Sequence, residues 1–113
     1  MNFHLVAILH GEDRAGKFLV LSDGTVIVGF FRRHAILLQR YYEKIKSERK
    51  DIKLIGAGMF YLNGDIQTWE SGLQNFTTPT ENRQAIENFI KQQASLLHEM
   101  FLELKKVTPH KSR

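Results

Sequence analysis

One stretch decides the fold: residues 17–30, with the sequence KFLVLSDGTVIVGF. Two runs of apolar and β-branched residues lie on either side of the turn Ser22-Asp23-Gly24-Thr25. Asp-Gly at this place predicts a β-hairpin, because a two-residue type I′ turn needs positive φ at both central residues and this pair adopts it readily. Residues 59–70 show the same pattern of two strand-like runs on either side of a turn, here at Asn63-Gly64. The chain therefore contains two predicted hairpins.

A helix-like stretch follows each hairpin. The first covers residues 32–50 and places apolar residues at helical spacing. In front of the first hairpin, the apolar run Phe3–Leu9 predicts one more strand. After the first helix, Ile52–Ile55 resumes a strand, which Gly56-Ala57-Gly58 then interrupts. Glycines there indicate a β-bulge or a close approach of the backbone to a neighbour.

The second helix is predicted over Thr80–Val107. Thr78, Pro79 and Glu81 form a capping signal at its start, and Pro109 ends it. At about 28 residues, this helix is long for one small domain. We therefore expect its far end to overhang the core, to kink, or to pair with a second copy in a homodimer.

These elements predict an α+β fold with a mostly antiparallel sheet of about five strands and two helices. The order is strand, hairpin, helix, strand and hairpin, long helix. A chain of 113 residues fits one domain, which we place at residues 1–108, followed by a short basic tail at 109–113. The turns set the strand pairing within each hairpin and leave the order of the hairpins in the sheet open.

The composition excludes several classes of protein. The chain has no cysteine, so disulfides, thiolate metal sites and cysteine nucleophiles are excluded. No apolar run is long enough to span a membrane, and the N-terminus does not have the pattern of a signal peptide. We expect a cytoplasmic protein without metal, cofactor or membrane partner.

The charge is compatible with an anionic partner and equally with a solvated surface. The formal net charge is +4, and the excess of basic residues falls on the first helix and the tail. Such a surface attracts a phosphorylated protein, a small anion or an acidic protein. Nucleic acid remains open on charge alone, although the chain has no recognisable nucleic-acid motif. The alternative is a solvated helix face that only keeps the protein in solution.

His34 is the first candidate for chemistry. It lies near the start of the first predicted helix, directly after a strand. The free N–H groups and the dipole at a helix start favour an anion and disfavour a charged imidazole. A neutral histidine beside bound phosphate is able to accept a proton, so His34 is a candidate general base. The alternative is structural, since His34 shares a helical stripe with Leu38 and Ile45.

Two further features fit an anion site. Lys17 opens a strand, where its ammonium group is able to reach an anion at the sheet edge. Ser71-Gly72 follows the second hairpin, and its hydroxyl and backbone N–H groups suit an anion-binding nest. The alternatives are a solvated lysine at a strand end and a simple strand terminator.

These residues, in this order of elements, resemble the Janus/Ocnus family, which includes the small phosphohistidine phosphatase. Residues 17–21 look like its lysine-bearing strand, and Arg33-His34-Ala35 looks like its His-Ala pair at a helix start. Gly56-Ala57-Gly58 is similar to its glycine run, and Ser71-Gly72 falls where the family has a phosphate-binding serine loop. The resemblance covers about residues 16–90.

The resemblance implies a largely antiparallel sheet between two helices and metal-free phosphatase chemistry. It implies that His34 is the general base, that Lys17, Ser71 or Gly72 and the amides of His34 and Ala35 hold phosphate, and that no cofactor is needed. Met59 departs from the family, which has an arginine there that binds phosphate, and Arg33 is a candidate substitute. The chain also ends in a helix where the family has a strand. The alternative function is a non-enzymatic module that binds phosphate or an acidic partner, or that oligomerises.

Overall fold

The computed structural model describes residues 2–9, 16–30, 36–61, 63–70 and 76–107. This part of the chain contains five strands and two helices, which confirms the predicted α+β class. In chain order the elements are β1 (His4–Leu9), β2 (Gly16–Leu21), β3 (Thr25–Gly29), α1 (Ile36–Glu48), β4 (Leu54–Phe60), β5 (Ile66–Thr68) and α2 (Thr80–Val107).

The strands form one sheet in the order β1-β3-β2-β4-β5. β2 lies at the centre and pairs antiparallel with both β3 and β4, so it joins the two hairpins. β5 is antiparallel to β4, whereas β1 is parallel to β3. The sheet is therefore mixed, with mostly antiparallel pairs.

The two helices cover opposite faces of this sheet. On β2, Phe18 and Val20 belong to a cluster with Ile86 and Ile90 of α2, whereas Leu19 and Leu21 belong to a cluster with Tyr42 of α1. Because successive side chains of a strand point to opposite faces, α1 and α2 must lie on different sides. All residues of β2 and β3 are buried, as the continuous apolar runs in the sequence suggest.

Both hairpin turns are one residue longer than the predicted type I′ turns. The Gly24 N–H donates to the Leu21 carbonyl at 2.9 Å, and the Gly64 N–H donates to the Tyr61 carbonyl at 2.8 Å. The loops therefore have three residues, with a glycine at positive φ (+93° and +94°) in the third position. This is the usual three-residue hairpin, in which the last loop residue is left-handed. The prediction of hairpins is confirmed, but the predicted two-residue turn was wrong.

The glycine run lies inside β4 and does not interrupt it. A Cβ on Gly56 would collide with the Ile86 Cδ1 of α2, and a Cβ on Gly58 would collide with the Thr68 carbonyl oxygen. Pairing with β2 shifts register just before Gly56, between the pairs formed by Val20 and Leu21. The glycines thus allow close packing of α2 and β5 on this strand, as a close backbone approach predicts.

The side chain of Thr78 bonds to β4 and does not cap α2 as predicted. Its hydroxyl accepts a hydrogen bond from the Ala57 N–H at 2.9 Å and donates to the Ala57 carbonyl at 2.8 Å. Nearby, the Asn82 side chain donates to the Ile55 carbonyl at 3.0 Å. β5 is only three residues long, so these side chains satisfy the backbone groups of β4 that β5 does not reach. The predicted capping role of Thr78 was wrong, because the free edge of β4 uses its hydroxyl.

α2 is longer than the sheet that it covers. It buries Ile86 and Ile90, and it passes so close to Gly64 of the second hairpin that a Cβ added there would lie 3.0 Å from the Ala94 Cβ. The helix continues to Val107, about 20 Å further at 1.5 Å per residue. The molecule is accordingly 47 Å long and only 28 by 22 Å across. Within the described residues, neither helix has the length and apolar character needed to cross a bilayer.

Candidate functional site

The orientation of α1 follows from contacts at its C-terminal end. Arg49, just after the helix, donates a hydrogen bond to Asp23 in the first hairpin turn, with an N···O distance of 2.7 Å. The Ser22 N–H donates to the Lys53 carbonyl, and the Lys53 N–H donates to the Ser22 hydroxyl. The C-terminal end of α1 is therefore fixed at the turn between β2 and β3.

The N-terminal end of α1 consequently points toward the other end of β3. The helix has 13 residues, or about 20 Å, whereas β3 has five residues, or about 17 Å. Tyr42 and Ile45 hold it along the sheet. The helix dipole thus directs its positive end toward the edge of the sheet at Gly29.

Lys17 lies at this same edge. It pairs with Gly29 of β3 on one side and with Met59 of β4 on the other. The pairing continues outward to Leu9 in β1 and Thr68 in β5, so one row of residues crosses all five strands. We call this row the Lys17 row.

Lys17 is buried, with only 5% of its surface exposed. It lies two residues before Leu19, so its side chain is on the face that α1 covers. A buried ammonium group is uncommon, because removal of a charge from water is costly. Lys17 therefore places its amino group on the α1 face, at the edge toward which the positive end of the α1 dipole is directed.

The other predicted site residues lie outside the described part of the chain. These are Arg33, His34, Ala35, Ser71 and Gly72. His34 precedes Ile36, the first described residue of α1, by two positions in the sequence. The prediction that His34 lies in the first turn of this helix stays a prediction.

The second hairpin leads away from the Lys17 row. Thr68 lies in the row, but the chain then runs along β4 toward Ala57. The Thr78 N–H donates to the Trp69 carbonyl, and Glu70 forms an isolated antiparallel β-bridge with Thr77. Ser71 and Gly72 thus follow a segment that departs from Lys17. Ser71 and Gly72 themselves lie outside the described residues, so their part in an anion site stays a prediction.

Two neighbours of Lys17 were not predicted as its partners. Gly29 of β3 and Met59 of β4 lie on either side of Lys17 in the sheet. Counting outward from the predicted two-residue turn pairs Lys17 with residue 30, and the three-residue loop shifts this pairing by one residue, to Gly29. The pairing with Met59 joins two separate hairpins, and no local signal in the sequence specifies it.

Asp23 is the described carboxyl group with a clearly shifted pKa. Burial alone would raise the pKa, but hydrogen bonds from Thr25 and the contact with Arg49 outweigh burial and lower the pKa to about 2. The Thr25 N–H reaches the carboxylate at 2.9 Å. Asp23 is therefore ionised at neutral pH and serves to fix α1 on the turn, some distance from the Lys17 row.

No family model, no curated protein and no solved structure matches this chain. The resemblance to the Janus/Ocnus family stays a prediction from the sequence. The argument for function consequently depends on the placement of Lys17 and α1.

Proposed function

We propose that this chain binds phosphate at the N-terminal end of α1 and hydrolyses a phosphorylated side chain, with phosphohistidine as the substrate class. The proposal is supported by one observation: Lys17 is buried at the sheet edge formed with Gly29, on the face that α1 covers. An ammonium group and a helix N-terminus both stabilise an anion, and their fields add where they meet. A phosphate there needs no metal to offset its charge.

His34 supplies the base in this proposal. Its sequence position beside the start of α1 favours the neutral imidazole, since the positive end of the dipole opposes protonation. His34 accepts a proton from water as the water oxygen bonds to phosphorus. The P–N bond of the substrate breaks, its electron pair stays on the imidazole nitrogen, solvent protonates that nitrogen, and His34 returns its proton to solvent. Arg33 and the amides of His34 and Ala35 assist Lys17 in holding the phosphate.

The binding test uses inorganic phosphate and NMR titration of the full chain. Lys17→Met should weaken binding at least tenfold, because it removes the charge and retains the length of the side chain. Lys44→Met is the matched control: it removes the same charge from an exposed position on α1 and should change binding less than twofold. Circular dichroism checks that both variants fold. Equal effects of the two substitutions would refute a specific site at Lys17.

The activity test follows release of phosphate from a phosphohistidine peptide. His34→Ala should lower the rate at least a hundredfold, as expected for loss of a general base. His4→Ala removes an exposed histidine from β1 and should leave the rate unchanged. If wild-type protein binds phosphate through Lys17 without turnover, the alternative of a non-enzymatic phosphate-binding module replaces the enzyme.

A substitution at Met59 should strengthen phosphate binding. Met59 lies beside Lys17 in the Lys17 row, at the position where the resembling family has arginine. Met59→Arg should tighten phosphate binding, because guanidinium forms paired hydrogen bonds with phosphate oxygens. The titration that serves for Lys17→Met measures this change, and unaltered binding would count against a phosphate beside this row.

A further inference from the structure

We propose that Asn63 is a site of spontaneous deamidation and that opening of the second hairpin sets the rate of this reaction. Asn63 is followed by Gly64, whereas every other asparagine of the chain precedes phenylalanine or arginine. Glycine has no side chain to shield its backbone nitrogen, which is the atom that attacks the asparagine side chain. The sequence therefore marks this pair as the asparagine site most prone to deamidation.

The reaction uses only atoms of this pair and of water. The Gly64 nitrogen gives its proton to hydroxide and bonds to the side-chain carbonyl carbon of Asn63. The bond from that carbon to Nδ2 breaks, and Nδ2 leaves as ammonia with a proton from water, so a five-membered succinimide ring remains. Water then opens the ring at either carbonyl. The product at position 63 is aspartate or isoaspartate, with one more negative charge than asparagine.

The folded hairpin withholds the attacking atom. The Gly64 N–H donates to the Tyr61 carbonyl at 2.8 Å, and Gly64 is buried. α2 covers this glycine, since a Cβ added to it would lie 3.0 Å from the Ala94 Cβ and 3.1 Å from the Lys91 Cα. Hydroxide therefore reaches the Gly64 N–H only when the turn separates from α2 and the hydrogen bond breaks.

The side chain of Asn63 is held as well, by Asp65. Its Oδ1 accepts a hydrogen bond from the Asp65 N–H at 2.9 Å, and its Nδ2 donates to the Asp65 carboxylate at 3.1 Å. Asp65 in turn lies 3.5 Å from the Lys91 ammonium group of α2. The amide must leave both hydrogen bonds before it rotates toward the Gly64 nitrogen, so it too reacts only in an open turn.

The same opening controls hydrogen exchange at the Gly64 N–H. A hairpin forms in about 1–10 μs, which is far faster than deamidation. The deamidation rate is consequently the rate in the open turn multiplied by the fraction of molecules that are open. A substitution that changes this fraction should change Gly64 N–H exchange and Asn63 deamidation by the same factor.

The product opposes closure of the turn. Aspartate at position 63 lacks the Nδ2 donor and sets a second carboxylate beside Asp65. Isoaspartate adds one carbon to the backbone of a short loop whose Gly64 packs on α2. Deamidation therefore marks molecules in which the second hairpin has opened, and it weakens the contact of that hairpin with α2.

Peptide mapping by mass spectrometry tests the protection on the full chain, because it resolves Asn63 from the other asparagines. Folded protein should deamidate at Asn63 at least about tenfold more slowly than the same chain unfolded in urea at the same pH and temperature. Equal rates in the two states would overturn the proposal.

Asp65→Ala and Glu87→Ala form a matched pair. Each removes one carboxylate near Lys91, at 3.5 and 3.8 Å, but only the first removes a partner of Asn63. Asp65→Ala should speed both deamidation and Gly64 N–H exchange about threefold, as expected for loss of one exposed hydrogen bond, and Glu87→Ala should change neither by more than about 1.5-fold. Circular dichroism checks that both variants fold. Equal effects of the two substitutions, or faster deamidation without faster exchange, would refute control by hairpin opening.

Discussion

Replacement of Thr78 by valine should destabilise this protein more than any neighbouring threonine change. The hydroxyl of Thr78 bonds to both the N–H and the carbonyl of Ala57, and all three groups are buried. It also lies 3.3 Å from the Trp69 carbonyl. Valine has nearly the same shape but no hydroxyl, so the two Ala57 groups would lose this partner without gaining water.

The expected magnitude follows from those two groups. A buried backbone group left without a partner costs about 1–3 kcal/mol, so the loss of both partners in Thr78→Val should lower the free energy of unfolding by about 2–6 kcal/mol. For a domain of this size, that corresponds to a fall in Tm of roughly 8 °C or more. Thr78→Ser retains the hydroxyl and loses one methyl group, so it should cost only about 1 kcal/mol.

Urea unfolding measures these differences. The fluorescence of Trp69, the single tryptophan, reports the transition, and circular dichroism checks that both probes coincide. Thr77→Val is the matched control at an exposed neighbouring position and should change stability by less than about 0.5 kcal/mol. If Thr78→Val proved as stable as Thr78→Ser, the hydroxyl would not be what satisfies the edge of β4.

Two further predictions concern the glycine run and the first turn. Gly58→Ala should cost about 1–3 kcal/mol and more than Gly56→Ala, because the added Cβ meets a backbone carbonyl in the first case and the end of a flexible side chain in the second. Urea midpoints decide this, and the opposite order would contradict it. Asp23 has a lowered pKa, so its contribution to stability is present above about pH 4 and disappears as the pH falls toward 2. Asp23→Asn should therefore cost no more than about 1 kcal/mol at pH 6, since the Arg49 side chain is 52% exposed, and thermal unfolding should show this difference shrinking as the pH is lowered through 2.

Local patterns were sufficient for the elements of this fold. The apolar runs around Asp23-Gly24 and Asn63-Gly64 specified two hairpins, and helical spacing specified α1 and α2. The turns were only partly predictable, because the same dipeptides suit a two-residue loop and a three-residue loop that ends in glycine. The observed loops place the glycine one position later in each turn.

The candidate site was likewise predictable only in part from local sequence. The sequence marked Lys17 as a strand residue able to hold an anion, but its burial and its pairing with Met59 depend on how β2 joins β4. That pairing links residues far apart in the chain. Thr78 shows the same limit, since its position before a helix predicts a cap, whereas its hydroxyl satisfies a strand that lies 21 residues earlier.

The sequence by itself therefore determined the hairpins, the helices and the composition of each apolar face, because these depend on neighbours within a few residues. Only the tertiary structure decided the strand order, the parallel pairing of β1 with β3, the placement of the helices on opposite faces and the burial of Lys17 between Gly29 and Met59. Those features depend on which distant strands pair, and the pairing is chosen by the burial of both sheet faces at once, which no single segment encodes.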